Sequence, residues 1–332
     1  MMIPKKQRGE GMVKYVLKRL LMMIPVVLAV ILLLYVLLTL APGDPARIIL
    51  GEDAAQELVD AKREELGLND PILIQYGKYV AGIMTKGDFG NSYSTGKPVA
   101  NALSERFPTT LGLAVSGLLV MSLIGIPIGI ISAIRQYSWI DNISVAVGMI
   151  GVSMPNFWLG LVLIMFFSLK LGWLPASGFY GPAYWILPAI TVGVNSAATL
   201  MRTTRSSMLE CVRQDYIRTA RAKGQKESVV VMHHALRNAL IPIITVLGMQ
   251  FGILLGGAVV IESIFSIPGL GKYIVDSIQT RDYPVVLGGV VLMAICFSLV
   301  NLAVDLLYTA VDPRIKTQFQ GKKKRKREVK TG

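Results

Sequence analysis

A chain of 332 residues with 53% hydrophobic residues, a mean hydropathy of +0.54 and a formal charge of +13 is not a soluble globular domain. The charge would suggest a nucleic-acid partner in a soluble chain. Here it sits at Lys5, Lys6, Arg8, Lys14, Lys18 and Arg19, in the stretch 202–237 and in Lys322 to Arg327, each beside an apolar run, so it orients the chain in a bilayer and nucleic acid is not expected.

The apolar run Leu20 to Ala41 exceeds the roughly 20 residues that cross a bilayer. It is too long for a secretory signal and no small-residue cleavage pattern follows, so residues 20–41 read as an uncleaved first span behind a basic, cytoplasmic N-terminus, 1–19. Pro25 reads as lying near the start of that helix, where no amide donor is needed. The string Ala41-Pro-Gly-Asp-Pro45 ends it. Residues 42–108 form a long polar segment, a structured subdomain or a decorated linker, with helical composition over Ala54 to Leu66 and an amphipathic pattern over Ile72 to Met84.

From 109 to 311 five further spans form the membrane core. Span two, about Thr109 to Ile134, carries Gly125-Ile-Pro-Ile-Gly129, a small-residue face for close helix packing, and Arg135 closes it. Span three, about Ile143 to Leu169, contains Ser153-Met-Pro-Asn-Phe-Trp158; Pro155 breaks the helix, and Asn156 either lines a pathway or sits at a simple kink. The outer loop Gly172 to Gly178 and its neighbours bring the interfacial aromatics Trp173, Tyr180, Tyr184 and Trp185. Span four, about Ile186 to Met201, bears Asn195 and Ser196.

The basic stretch 202–237 follows. Arg202, Arg205, Arg213, Arg218, Arg221, Lys223, Lys226 and Arg237 outnumber Glu210, Asp215 and Glu227, which places it on the cytoplasmic side. Asp215 is the expected N-cap and Gly224 the expected stop of a short helix. Tyr216, Ala220 and Gly224, spaced four apart, make a small-residue face, and Arg218 and Arg221 a cationic one. Such a helix fits a groove on another protein.

Span five, about Asn238 to Val260, includes Gln250, and the segment from Glu262 to Pro284 reads as an outer loop. Its Gly269-Leu-Gly-Lys272 is not a phosphate-binding loop, because position 266 is Ser and 273 is Tyr. Span six, about Val285 to Val311, bears Asp305, and the basic tail 312–332 is cytoplasmic by the same charge rule. The expected architecture is all-α and polytopic, with six transmembrane helices and both termini inside.

Cys211 and Cys296 lie in different segments and neither has a CxxC partner. His233 and His234 are adjacent and point to different helix faces, so no metal site is expected. Nor does a nucleophile with a base stand out, so no catalytic residue is assigned.

The segments Arg218-Thr-Ala-Arg-Ala-Lys-Gly224 and His233-His-Ala-Leu-Arg-Asn-Ala-Leu-Ile-Pro242 resemble the EAA loop of ABC-importer permeases. The general Glu-Ala-Ala pattern matches only at Ala220, Gly224 and Leu236, whereas the variant resembles the form of the dipeptide, oligopeptide and nickel branch. Gly172-Trp-Leu-Pro-Ala-Ser-Gly178, Glu262 to Gly271 and Asp312-Pro-Arg314 are similar to that branch as well, and the resemblance covers Tyr15 to Arg314.

It implies a type I, MetI-like permease fold in a bacterial or archaeal cytoplasmic membrane, with residues 42–108 as a small extracytoplasmic subdomain above the pore. The implied partners are a homologous permease, two cytoplasmic ATPases that hold ATP and Mg, and an extracytoplasmic substrate-binding protein; the chain itself binds no cofactor. By the same resemblance the ATPase-docking residues are Tyr216, Arg218, Thr219, Ala220, Arg221, Lys223 and Gly224. Ala220 and Gly224 are expected to permit close docking, and Arg218, Arg221 and Lys223 to supply polar contacts. Asn156, Asn195 and Gln250 are the polar residues expected along a pathway for di- or oligopeptides. The competing class is an ion-coupled carrier or channel working alone. That class more often needs acids near the bilayer midplane, whereas Asp305, the main acid in the spans, lies toward the cytoplasmic end.

Overall fold

The computed structural model describes residues 5–40 and 43–311, with side chains for 16–40 and 43–307. Ala41 and Pro42, the Asp312-Pro-Arg314 string and the basic tail lie outside the described residues, as do the side chains of Lys5, Lys6, Arg8 and Lys14. Among the described residues the regular structure is helical, apart from one isolated bridge between Asn91 and Pro98. Among the described residues five helices are long and apolar enough to cross a membrane, and six spans result if one bent pair of helices counts as a single span.

The chain divides into two compact units. The first comprises residues 1–112, 177–179 and 258–298. Here α1 runs from Lys5 to Leu40, so Pro25 sits in its interior and not near its start. The helix extends back into the basic residues, and an interior proline is tolerated in such a helix because neighbouring groups satisfy the freed carbonyl. Asp44 caps α2 (Pro45–Leu50), accepting the Ala46 N–H at 3.0 Å. Helices α3 (Gln56–Glu65) and α4 (Ile72–Lys86) occupy the two predicted helical stretches, and α4 ends on the left-handed Gly87.

The next helix, α5 (Val99–Ile134), starts ten residues before the expected span and is 36 residues long. At 1.5 Å per residue that is about 54 Å, well beyond the roughly 30 Å hydrocarbon core. The outer loop after span five is not all loop. Leu270, Gly271, Ile274 and Ser277 form the buried stripe of a ten-residue helix, α12 (Leu270–Gln279), an amphipathic element where an outer loop is expected. Leu270 and Ile274 pack with Val99, Leu103, Val285 and Val286 into the core of this unit.

The second unit comprises residues 113–176, 180–257 and 299–332. Its packing uses glycine where helices touch. A Cβ on Gly125 would stand 2.8 Å from the Ala197 carbonyl, one on Gly129 2.7 Å from that of Met201, and one on Gly193 2.7 Å from that of Gly117. The Gly125–Gly129 face therefore lets α5 lie against α8 (Ala183–Val212) at backbone contact. The helix break expected at Pro155 is present: α6 (Trp139–Ser153) and α7 (Asn156–Leu163), the latter continued by a π-helical turn to Lys170, meet at 102° across Met154 and Pro155. Helix α8 is longer than predicted, so Arg202 to Val212 continue a helix and do not belong to a loop. After α9 (Asp215–Ala222) and the single turn α10 (Glu227–Val229), a π-helical stretch Val230–Ala235 leads into α11 (Leu236–Ile264). The chain closes with α13 (Tyr283–Val311), and Gly248 on α11 leaves no room for a Cβ beside the Val304 side chain of α13.

Candidate functional site

Helix α9 is the short helix expected within the basic stretch, and its two ends are made differently. Gln214, not Asp215, is the N-cap residue, and it makes no side-chain cap. Asp215 is the first helical residue, favourably placed at the positive end of the helix dipole; its carbonyl accepts the Thr219 hydroxyl at 3.0 Å. At the other end Gly224 has φ +73°, and its N–H returns to the Arg221 carbonyl at 2.9 Å. Open space surrounds the position of a Cβ there, so backbone conformation and not crowding calls for glycine.

The face turned inward is set by Ile217 and Ala220, which are 0% and 7% exposed. They belong to a buried cluster with Met208, Val230, Val231 and Ala235. Ala220 thus corrects the expectation of a small residue open to a partner. The reason is Ile217, a larger apolar side chain three residues earlier, which takes the core-facing direction and carries Ala220 with it. Tyr216, Arg218, Thr219, Arg221, Lys223 and Gly224 are exposed, with Val229 and Met232 adding apolar surface nearby. Tyr216 is 41% exposed, with its hydroxyl near Asn238 and Cys211.

Arg221 also differs from expectation. It forks onto Glu227, Nε to Oε2 at 3.1 Å and Nη2 to Oε1 at 2.6 Å, and so clasps the turn that Gly224 opens. Its guanidinium is held above its ordinary pKa, chiefly by that hydrogen bond. Both side chains are about half exposed, which limits the pair to under about 1 kcal/mol. A second tie, His234 Nε2 to Gln225 Oε1 at 2.7 Å, fixes the far side of the turn. Of the three cations expected to make docking contacts, those left outward are Arg218, whose guanidinium lies 3.8 Å from Asp215, and Lys223.

Behind this surface stands a network that the sequence reading did not find. Asp141, 2% exposed on α6, accepts Arg205 Nε and Nη2, both at 2.7 Å, the Tyr137 N–H at 2.9 Å and the Ser132 hydroxyl. Arg205 is on α8, ten residues ahead of α9. The turn between α5 and α6 needs this anchor: Tyr137 there has φ +63°, and Ser138 caps α6 by accepting the Asp141 N–H at 3.3 Å. The only legible signal was Ser138 followed three residues later by an acid.

At the break in the third crossing, Asn195 donates both amide hydrogens, to the Gly151 carbonyl at 3.2 Å and the Met154 carbonyl at 2.8 Å. These carbonyls lose helical partners at Pro155, so the Asn195 amide is committed to holding the break. Asn156 begins α7, and its Oδ1 is buried without a hydrogen-bond partner among the described residues. The structure brings Asn195 to the segment where Asn156 lies; Gln250 is half-buried on α11 and hydrogen-bonds to neither.

In the first unit two buried acids organise the loops. Glu262 is 0% exposed and accepts the Thr110 hydroxyl at 2.6 Å and the Lys272 N–H at 2.8 Å, and Gly269 leaves its carboxylate no competing Cβ. Asp282 gathers the N–H groups of Tyr93 and Ser94 at 3.0 and 3.2 Å together with the Ser92 hydroxyl. Neither acid was assigned from sequence.

Comparison with known proteins then adds what geometry lacks. A family model described as a binding-protein-dependent transport system inner membrane component matches residues 125–317, and its N-terminal companion matches residues 12–114. The chain is 43% identical over 305 residues to the glutathione transport system permease protein GsiC of Salmonella paratyphi A and to that of Escherichia coli K12, covering 92% of this chain and 99% of each relative. Among solved structures, an inward-facing form of the MetNI methionine ABC transporter aligns with a TM-score of 0.54 at 21% identity, over 64% of this chain and 96% of that one. An amino acid ABC transporter solved with histidines gives 0.52 at 15% identity, over 64% and 94%.

Proposed function

The chain belongs to the binding-protein-dependent transport system inner membrane components, and from that premise we propose that it imports di- and oligopeptides, glutathione among them. It is the permease subunit of an ABC importer, a multi-pass membrane component and not an enzyme. In this reading a homologous permease completes the pathway, two ATPases dock from the cytoplasm and hold ATP and Mg, and an extracytoplasmic binding protein delivers substrate. Both termini and the stretch around α9 lie on the cytoplasmic side.

The observation that supports docking at α9 is its division of labour. Ile217 and Ala220 root the helix in the buried cluster of its unit, so a force applied to its outer face is transmitted and not absorbed. Tyr216, Arg218, Thr219 and Lys223 stand on that outer face. ATP drives transport by linkage: it must bind the inward- and outward-open complexes with different affinities, and α9 is the element through which that difference reaches the spans. Support for a peptide substrate is the 43% identity to glutathione permeases, glutathione being a tripeptide.

Reconstitution tests both parts. Proteoliposomes holding this chain with its partner permease and ATPases, given the binding protein, should accumulate labelled dipeptide, tripeptide or glutathione only with internal ATP. Uptake by this chain alone on an ion gradient would overturn the reading.

A further inference from the structure

The first unit holds a cleft of about 800 Å³, within the 300–1,000 Å³ range of small-ligand sites, walled by the end of α1, the α3–α4 turn and the segment from Asp88 to Gly96. Its three wall cations are all paired: Arg63 with Asp44 at 3.0 Å, Lys78 with Asp70 at 2.6 Å and Lys62 with Glu65 at 2.8 Å. A fourth wall carboxylate, Asp88, accepts the Gly90 N–H at 2.8 Å and has no cationic partner among the described residues. Among the residues that line the cleft, carboxylates therefore outnumber cations by four to three.

Tyrosines supply the rest of the wall. Tyr35 and Tyr79 lie edge to face with ring centroids 5.9 Å apart, and Tyr93 and Tyr283 stand 6.3 Å apart. The Tyr79 hydroxyl is buried and has no hydrogen-bond partner among the described residues. Burial, followed by nearby Tyr35 and Asp88, holds its phenol well above the ordinary range, so it is neutral at physiological pH. A buried unmatched hydroxyl is costly in an empty fold and is a ready partner for a bound polar group.

An anionic group would meet Asp88 with no unpaired cation among the lining residues, Arg281 standing against Gly43 outside that lining. A cation carrying N–H donors is matched three ways: Asp88 neutralises it, the Tyr79 oxygen accepts from it, and the electron-rich ring faces attract it. We infer that this cleft is a subsite for a primary ammonium, the N-terminus of a short peptide, with Asp88 as counter-ion and Tyr79 Oη as acceptor. The inference rests on the peptide-import reading and adds which end of the substrate the chain itself holds. An ethanolamine lipid beside the end of α1 presents the same ammonium, so the test separates the two sources.

The assembled complex of this chain, its partner permease and the ATPases, without the binding protein, is placed in phosphatidylcholine nanodiscs. Labelled Ala-Ala-Ala and glutathione are titrated against N-acetyl-Ala-Ala-Ala. Saturable binding of the free peptides, about tenfold weaker for the acetylated one, is expected, with a similar loss in Asp88→Asn and in Tyr79→Phe. Tyr79→Phe removes only an atom that bonds to nothing in the fold, so it controls for misfolding. If the ammonium comes from lipid, peptides do not saturate, and mass spectrometry of the intact complex finds phosphatidylethanolamine retained over phosphatidylcholine by the parent but not by Asp88→Asn. Equal binding of acetylated and free peptide without lipid retention overturns the site, as does identical behaviour of both variants and the parent. Failure of the import reading shows separately, as absence of ATP-driven peptide uptake when the binding protein is restored.

Discussion

Arg205 and Asp141 face each other through two parallel contacts of 2.7 Å each, with the carboxylate almost wholly buried. The pair joins α8, which delivers the chain to α9, to the turn between α5 and α6. Its value lies in the lack of an alternative for the acid: the Asp141 carboxylate has little water to fall back on, and the Tyr137 N–H and Ser132 hydroxyl share it.

Removing one partner should therefore be severe. Arg205→Ala leaves Asp141 buried and unpaired, and a loss of about 3–5 kcal/mol is expected. Thermal unfolding in detergent should show it as a clearly lowered midpoint. The double change Arg205→Met with Asp141→Leu should recover much of the loss, since no orphaned charge remains. If the single variant melts like the parent, the strut does not carry the turn.

Gly224 separates conformation from size. With φ +73° and open space around a Cβ, Gly224→Asn should be close to neutral and Gly224→Ala should cost roughly 1 kcal/mol. Gly224→Arg combines the same backbone strain with bulk on the proposed docking surface. It should uncouple ATP hydrolysis from transport while Gly224→Asn stays coupled. Transport at parental rates in Gly224→Arg would remove this turn from the docking surface.

Arg218 and Lys223 point outward, whereas Arg221 is held by Glu227. Charge reversal at Arg218 and Lys223 should lower copurification of the ATPases several-fold, more so at low salt, because exposed charges are screened within about 10 Å at 0.1 M. Arg221→Gln should mainly loosen the turn and weaken docking less. An equal effect of all three, independent of salt, would argue for a structural cause.

Asn195→Ala strips two hydrogen bonds from the carbonyls at the Pro155 break. Leaving them unmatched should cost about 1–3 kcal/mol. Asn195→Gln, with the longer side chain, should restore part of it. Should Asn195→Ala instead keep full stability and change only which substrates are carried, the residue serves the pathway and not the break.

Sequence by itself determined what depends on neighbours along the chain. The apolar runs, the proline break at 155, the left-handed stop at Gly224 and the small-residue face at Gly125 and Gly129 are all local patterns, and the structure has them. The exposure of Arg218, Thr219 and Lys223 on α9 is legible for the same reason. What only the tertiary structure decided is partnership. Asp141 meets Arg205 across 64 residues, Glu262 meets Thr110 across 152 and Asp282 meets Ser92 across 190. No periodicity encodes such pairs, because which charge answers which depends on how helices are brought side by side. Helix α9 shows the boundary most clearly: its sequence displayed two workable faces, and only the buried cluster that received Ile217 fixed Ala220 inward and left Tyr216 out.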